Sequence, residues 1–192
     1  MSESFVVIDF ETTGLNPSTG DRVTEVAAIK VHQDRVVDSY QSLIKTGAYI
    51  SKDIERLTGI TNQMVETAPT SATVMARLAV FLESFPLVAH NAAFDARFLD
   101  AEFSKARINR ANNFACSMKL ARRVYPNAPN YKLVTLLDYA DIPIPGKLHR
   151  AMADASATVC LWQQMKRDML VKKGIQEITF NEMQLFSTTR HR

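Results

Sequence analysis

The 192-residue chain has only two cysteines, Cys116 and Cys160, with no Cys-x-x-Cys pair and no histidine at ligand spacing beside them. Neither a zinc site nor a disulfide framework is supported. Both thiols sit among apolar neighbours and read as buried free cysteines. Long apolar runs are missing too: the longest, Leu78 to Leu82, is five residues, against about 18 for a membrane-spanning helix. The opening Met-Ser-Glu-Ser has no basic stretch followed by an apolar one, so no secretory leader is expected. The expectation is a cytoplasmic protein with no membrane partner. No internal repeat and no low-complexity segment is found. With 46% hydrophobic and 22% charged residues the composition is ordinary for a globular chain and argues against disorder. The length predicts one domain.

Within that frame, Phe5 to Phe10 is dense in β-branched and aromatic residues and reads as a buried strand, ended by the turn residues Thr12 to Pro17. Val23–Val31 and Arg35–Ile44 are two further strand-like runs, and the short Gln33-Asp34 link predicts an antiparallel hairpin. Ser51 begins a short helix that stops at Gly59. Apolar residues at Val74, Leu78, Phe81 and Leu82 give Thr70–Ser84 a helical period. Pro86 to His90 is too short for a helix and reads as a strand. Asn91 is placed to cap a helix from Ala92 to about Lys105, with Phe94, Phe98, Leu99 and Phe103 as its core stripe. A short strand at Phe114–Cys116 and helices near Ser117–Val124, Leu133–Ala140 and Ala151–Leu170 follow. A meander of strands succeeded by strands interleaved with helices predicts an α/β domain, a mixed sheet covered by helices. We place that domain at residues 1–173 and treat 174–192 as a C-terminal appendage holding one short helix, with Thr179 and Glu182 as its capping box.

Chemistry concentrates in four carboxylates and one imidazole. Asp9 and Glu11 are two positions apart at the end of a very apolar strand, so both project from one face. Carboxylates that close in an apolar setting repel unless protonated or bridged by a cation, and carboxylate oxygens suit magnesium or manganese. Asp95 lies in the first turn of its helix, where the positive end of the dipole holds a carboxylate ionised. Asp154 is early on an Ala-rich helix, and His149 on the Pro/Gly-rich loop before it suits a general base. Taken singly, each of these also fits a solvated strand end, a helix-start acid or a surface histidine.

Together they form a pattern. Asp9-Phe10-Glu11-Thr12-Thr13-Gly14-Leu15, then His90-Asn91-Ala92-Ala93-Phe94-Asp95, then His149-Arg150-Ala151-Met152-Ala153-Asp154 resemble the three motifs of the DEDDh (DnaQ-like) 3′→5′ exonuclease family, which includes the epsilon proofreading subunit of bacterial DNA polymerase III. Order and spacing match over about residues 5 to 167. The resemblance implies a ribonuclease H-like fold and removal of nucleoside 5′-monophosphates from single-stranded or mispaired DNA 3′ ends, using two divalent metal ions, Mg2+ or Mn2+. It implies that Asp9, Glu11 and Asp154 hold the first ion, that Asp9 with Asp95 serves the second, and that His149 is the general base. It further implies that Thr12 bonds the terminal sugar, Leu15 wedges against the bases, and Asn91 and Phe94 line the nucleotide pocket. Phe10, on the opposite face of its strand, is read as core.

One departure is visible: where many relatives carry a histidine before Gly-Ile-Thr, this chain has Thr58. Setting the acidic quartet aside leaves the rest of the chain more basic than its net charge of +3. Lys105, Arg107 and Arg110, then Lys119, Arg122 and Arg123, and Lys147 beside His149-Arg150 would draw a phosphate backbone. Lys166-Arg167 and Lys172-Lys173 fit compensation of a helix dipole. The implied partners are DNA ends and a DNA polymerase subunit. Two other readings use the same residues: an exoribonuclease of the ribonuclease T or oligoribonuclease type, and a silent module that binds nucleic acid or a polymerase.

Overall fold

The computed structural model describes residues 4–143 and 149–188. Three strands, β1 (Ser4–Thr12), β2 (Val23–His32) and β3 (Arg35–Leu43), form an antiparallel meander, and β4 (Leu87–Ala89) and β5 (Phe114–Cys116) add parallel strands beyond β1, in the order β3-β2-β1-β4-β5. The expected mixed α/β architecture is therefore the one observed. Gln33 and Asp34 both have positive φ, 49° and 59°, which a two-residue hairpin turn matched to strand twist requires.

Strand alternation divides the sheet into two covered faces. Val6, Ile8 and Phe10 of β1 point into a core shared with α3 (Ser71–Leu82) and α4 (Ala92–Lys105), including Leu78, Phe98 and Leu99. Phe5 and Val7 point the other way, into a core shared with α5 (Ser117–Val124), α6 (Leu133–Tyr139) and the long α7 (Ala151–Lys173). Asp9 and Glu11 continue the Phe5–Val7 row, so the strand period aims both toward α7. Small residues at Ala151 and Ala155, both fully buried, let that helix lie close to the sheet.

Several expectations are corrected. A short helix, α2 (Asn62–Glu66), was not expected; it is capped by Thr61, and its Val65 packs with Ile50 and Ile60. The helix before it, α1 (Lys52–Thr58), has the expected limits, Ser51 and Gly59. Asn91 adopts a left-handed conformation, φ 67°, and its side chain makes no capping bond, so it turns the chain from β4 into α4 without capping. Cys116 is buried, but Cys160 is only half-buried. Lys166 does more than offset a dipole: its Nζ is 2.9 Å from Asp34 across the hairpin.

The segment read as an appendage joins the main core. Thr179 and Glu182 form the expected capping box, with Thr179 N donating to Glu182 Oε2 at 2.7 Å and Glu182 N to Thr179 Oγ1 at 3.2 Å. The helix it starts, α8 (Phe180–Thr188), buries Phe180 and Met183, and Ile178 precedes them into the same core. Phe180 meets Phe5 of the central strand and Trp162 of α7, each with ring centroids 5.6 Å apart. Aromatic contacts of this kind hold a nine-residue helix that would not persist alone. Phe180→Ala is expected to cost about 3 kcal/mol, read as a lower urea midpoint at unchanged m-value; an unchanged midpoint would show that the tail contributes no packing.

Candidate active site

The carboxyl end of β1 and the starts of α4 and α7 meet at one end of the sheet, beyond the strand termini where open α/β folds gather their ligands. Ligand oxygens of Asp9, Glu11 and Asp154 all lie within 4.8 Å of one another. Asp9 is half-buried, Glu11 is 9% exposed and Asp154 half-buried. Asp95 comes from the other side of the sheet. It is buried, and its carboxylate accepts from the backbone amides of Phe10 and of Asp95 itself. It is not one of the three that share the 4.8 Å circle, yet it is near enough for its charge to act on Asp9.

Electrostatically the cluster is strained. Burial first, then the charges of Asp95, Asp154, Glu11 and Glu25, push Asp9 well above the ordinary carboxylate range. Burial, helped by Asp154 and Glu25 and opposed by Arg150, lifts Glu11 to about 8. Burial also raises Asp154, against the His149 amide and charge, and raises Asp95, against the two amides it accepts from. Carboxylates held together with so little counter-charge require protons or a cation.

His149 stands at the mouth, exposed, with φ 64°. Its backbone amide points at both Asp154 oxygens at 3.3 and 3.4 Å, which keeps the imidazole-bearing residue next to the cluster. A groove of about 920 Å³ runs past both, lined among others by Asn91, Arg122, Tyr131 and Lys132. Arg122 lies over the Tyr131 ring, 5.4 Å from its centroid. His90 is fixed by bonds from both ring nitrogens, to Ser117 Oγ at 2.8 Å and the Tyr131 carbonyl at 2.9 Å. Burial lowers its pKa, so it is a neutral strut between β4 and the groove wall.

The remaining expected residues have mixed placements. Leu15 is 77% exposed at the tip of the loop after β1, free to touch a ligand. Thr12 is buried, and its hydroxyl donates to the Gly14 carbonyl at 2.6 Å. A side chain at Gly14 would run into the Asp21 carboxylate, which accepts from Asn16 N at 2.9 Å and closes the loop. Phe94 is half-buried with its ring 4.9 Å from that of Phe98, and packs against the core. Of the basic residues, Arg110 is paired with Asp100 at 2.6 Å, whereas Lys147 lies outside the described residues.

A model of a family described as exonuclease, RNase_T, matches residues 6–161. The chain belongs to this exonuclease family. The RNase_T exonuclease region is 34% identical over 175 residues to the PolC-type DNA polymerase III of Caldanaerobacter subterraneus subsp. tengcongensis, covering 91% of the chain and 12% of that protein. Against the PolC-type DNA polymerase III of Bacillus subtilis (strain 168) identity is 36% over 176 residues, again 91% of the chain and 12% of the relative. The chain thus spans only a small part of these relatives. Among solved structures, Exonuclease X in complex with 5′ overhanging duplex DNA superposes with a TM-score of 0.72 at 26% identity, covering 95% of this chain and 99% of that one. E. coli Exonuclease I in complex with a dT13 oligonucleotide gives a TM-score of 0.77 at 20% identity, over 90% and 43% of the two chains, a likeness of fold.

For an RNase_T exonuclease the donor set fits a divalent cation. Every donor is a hard carboxylate oxygen, as magnesium and manganese prefer, and the mutual repulsion is what a cation would relieve. Mn2+ at about 100 times its Kd is expected to stabilise the protein by about 2.7 kcal/mol, about 5–10 °C in melting temperature for a chain of this length. Equal melting curves with and without the ion would remove the site.

Sequence reasoning missed Glu25. It sits on β2 directly opposite Glu11 and is 1% exposed. Burial would raise its pKa, but bonds from Arg150, Ala151 and Gln41 bring it below the usual value. The available signal was a charged residue inside the apolar run Val23–Val31. Among the described residues, no helix is long and apolar enough to cross a membrane.

Proposed function

We propose that this chain is a metal-dependent 3′→5′ exonuclease that releases nucleoside 5′-monophosphates from single-stranded or mispaired DNA ends. The observation that carries the reading is the convergence of Asp9, Glu11 and Asp154 within 4.8 Å beside His149, on a groove with Arg122 and Lys132 along its wall. Family membership supports it, as do the DNA-bound Exonuclease X structure and the polymerase relatives. Those relatives also support a DNA polymerase as a partner.

Asp9, Glu11 and Asp154 would hold one divalent ion, and Asp9 with Asp95 a second; bound there, the pair would supply positive charge that eases loss of the water's proton and steadies the negative charge gathering on the leaving oxygen. His149 takes a proton from a water whose oxygen forms the new bond to phosphorus. The bond from phosphorus to the 3′ oxygen of the preceding nucleotide breaks, and that oxygen leaves with the electron pair and is protonated from solvent. Leu15 presses on the terminal base, Thr12 lies against the terminal sugar, and Asn91 and Phe94 form the pocket wall. Aromatic and aliphatic contacts suit any base, because each has a face to stack on. Arg122 and Lys132 attract the phosphates upstream, so activity falls as salt rises.

The deciding experiment digests matched 5′-labelled DNA and RNA oligomers, single-stranded, mispaired and fully paired, with Mg2+ or with EDTA. Mononucleotides and a shortening ladder from DNA, abolished by EDTA, are expected. Faster loss of RNA would make the chain an exoribonuclease, since groups around the pocket read the 2′-hydroxyl. Binding without mononucleotide release would make it a silent module.

A further inference from the structure

We propose that Glu25 and Arg150 act as a positioning pair that seats the start of α7, and with it His149 and Asp154, against the acidic end of β1. This rests on the nuclease reading and adds two residues to its working parts. Helix α7 carries Asp154 in its first turn, yet its capping position, Arg150, supplies no side-chain capping bond. The cap comes from another strand. Glu25 Oε2 accepts from the Ala151 amide at 3.1 Å and from Arg150 Nε at 3.0 Å, while Oε1 accepts from Arg150 Nη2 at 2.7 Å and from Gln41 Nε2 at 3.0 Å.

Four donors on one buried carboxylate fix it in place, and the paired Arg contact fixes orientation as well as distance. The carboxylate also meets the first free amide of α7, where a negative charge is favoured. The fork grips the chain one residue after His149. The helix then places Asp154 four residues on, with Asp154 N donating to the Arg150 carbonyl at 3.1 Å. Because Glu25 on β2 is paired in register with Glu11 on β1, the strand that anchors the helix bearing Asp154 is bonded directly to the strand that aims Glu11. A shift of α7 would therefore move His149 and Asp154 together, relative to Asp9 and Glu11. Small displacements of this kind are costly in rate, since turnover depends on alignment of the reacting atoms.

The test compares Glu25→Gln, Arg150→Met and the double variant with wild type. Single-stranded DNA turnover and Mn2+ affinity by calorimetry are measured below the lowest melting point of the set, and the melting temperature of each variant is measured alongside. Each single change is expected to lower kcat by about 10–100-fold with KM within threefold, and to weaken Mn2+ binding by a similar factor. The double variant should be no worse than the worse single one, because both break one unit. Arg150→Lys, which keeps the charge but loses the fork, should recover part of kcat and serves if Arg150→Met does not fold. Variants that lose melting temperature alone, with kcat and Mn2+ affinity unchanged, would overturn the proposal, as would single effects that multiply in the double variant. If wild type fails to cut DNA, the nuclease reading falls, and the Mn2+ measurements still decide whether the pair seats Asp154.

Discussion

Asp9→Asn is expected to lower single-stranded DNA turnover by on the order of a thousandfold, about 4 kcal/mol of transition-state stabilisation, while raising the melting temperature of the metal-free protein. The two effects share a cause. Asp9 is the residue on which four other carboxylates, Asp95, Asp154, Glu11 and Glu25, all act, on top of its burial. An asparagine keeps the shape and one oxygen but carries no charge, so the repulsion falls and the folded state gains. The same lost charge weakens the hold on a divalent ion, so the rate falls. Stability and activity moving in opposite directions separates a working site from a structural one, because strain kept at functional positions is released when function is removed. Melting curves with EDTA and single-turnover digestion with Mg2+ would measure both. Turnover within tenfold of wild type would remove Asp9 from the chemistry. Equal loss of stability and rate would make it a packing residue.

How much of this was legible in the sequence follows from the range of each interaction. The shared face of Asp9 and Glu11 is a local property of a strand, and the structure keeps it, with Phe10 on the opposite side in the core. The meander and the Gln33-Asp34 turn are equally local. Asp95 and Asp154 could be placed at helix starts, but their meeting with β1 depends on how two layers flank one sheet. It was the resemblance of spaced motifs that supplied this. Glu25 escaped because its partner, Arg150, is 125 residues away, and nothing near either residue announces the other. The tail escaped for a similar reason: Ile178, Phe180 and Met183 look like a weak apolar stripe until Phe5 and Trp162 are seen waiting for them. Asn91 was read from a preference for capping, and the tight passage from β4 to α4 used its tolerance of positive φ instead.

The site has one support that lies away from it and carries a large expected effect. Glu102, 1% exposed on α4, accepts from Arg22 Nε at 2.6 Å, Arg22 Nη2 at 2.8 Å and Ser71 Oγ at 2.6 Å, and Arg22 also donates to the Thr46 carbonyl at 3.1 Å. The loop after β1, the start of α3 and the helix that bears Asp95 are thereby tied at one point. Glu102→Ala should cost about 3–5 kcal/mol, because a half-buried guanidinium and a hydroxyl lose their partner together. Glu102→Gln, which keeps volume and some bonding, should cost less. Acid should act on the same point. Burial alone would raise the pKa of Glu102, but the bonds from Arg22 and Ser71 and the charges of Arg22 and Lys105 take it below its ordinary value of 4.5. The unfolded chain therefore binds this proton more readily than the folded one, so the stabilisation is complete above about pH 4.5 and is lost as pH falls through the lower folded value. Urea unfolding of wild type and Glu102→Gln at pH 7 and pH 4 should show the gap between them narrowing in acid. A gap that stays constant would mean that packing around Glu102, and not its charge, holds the three elements together.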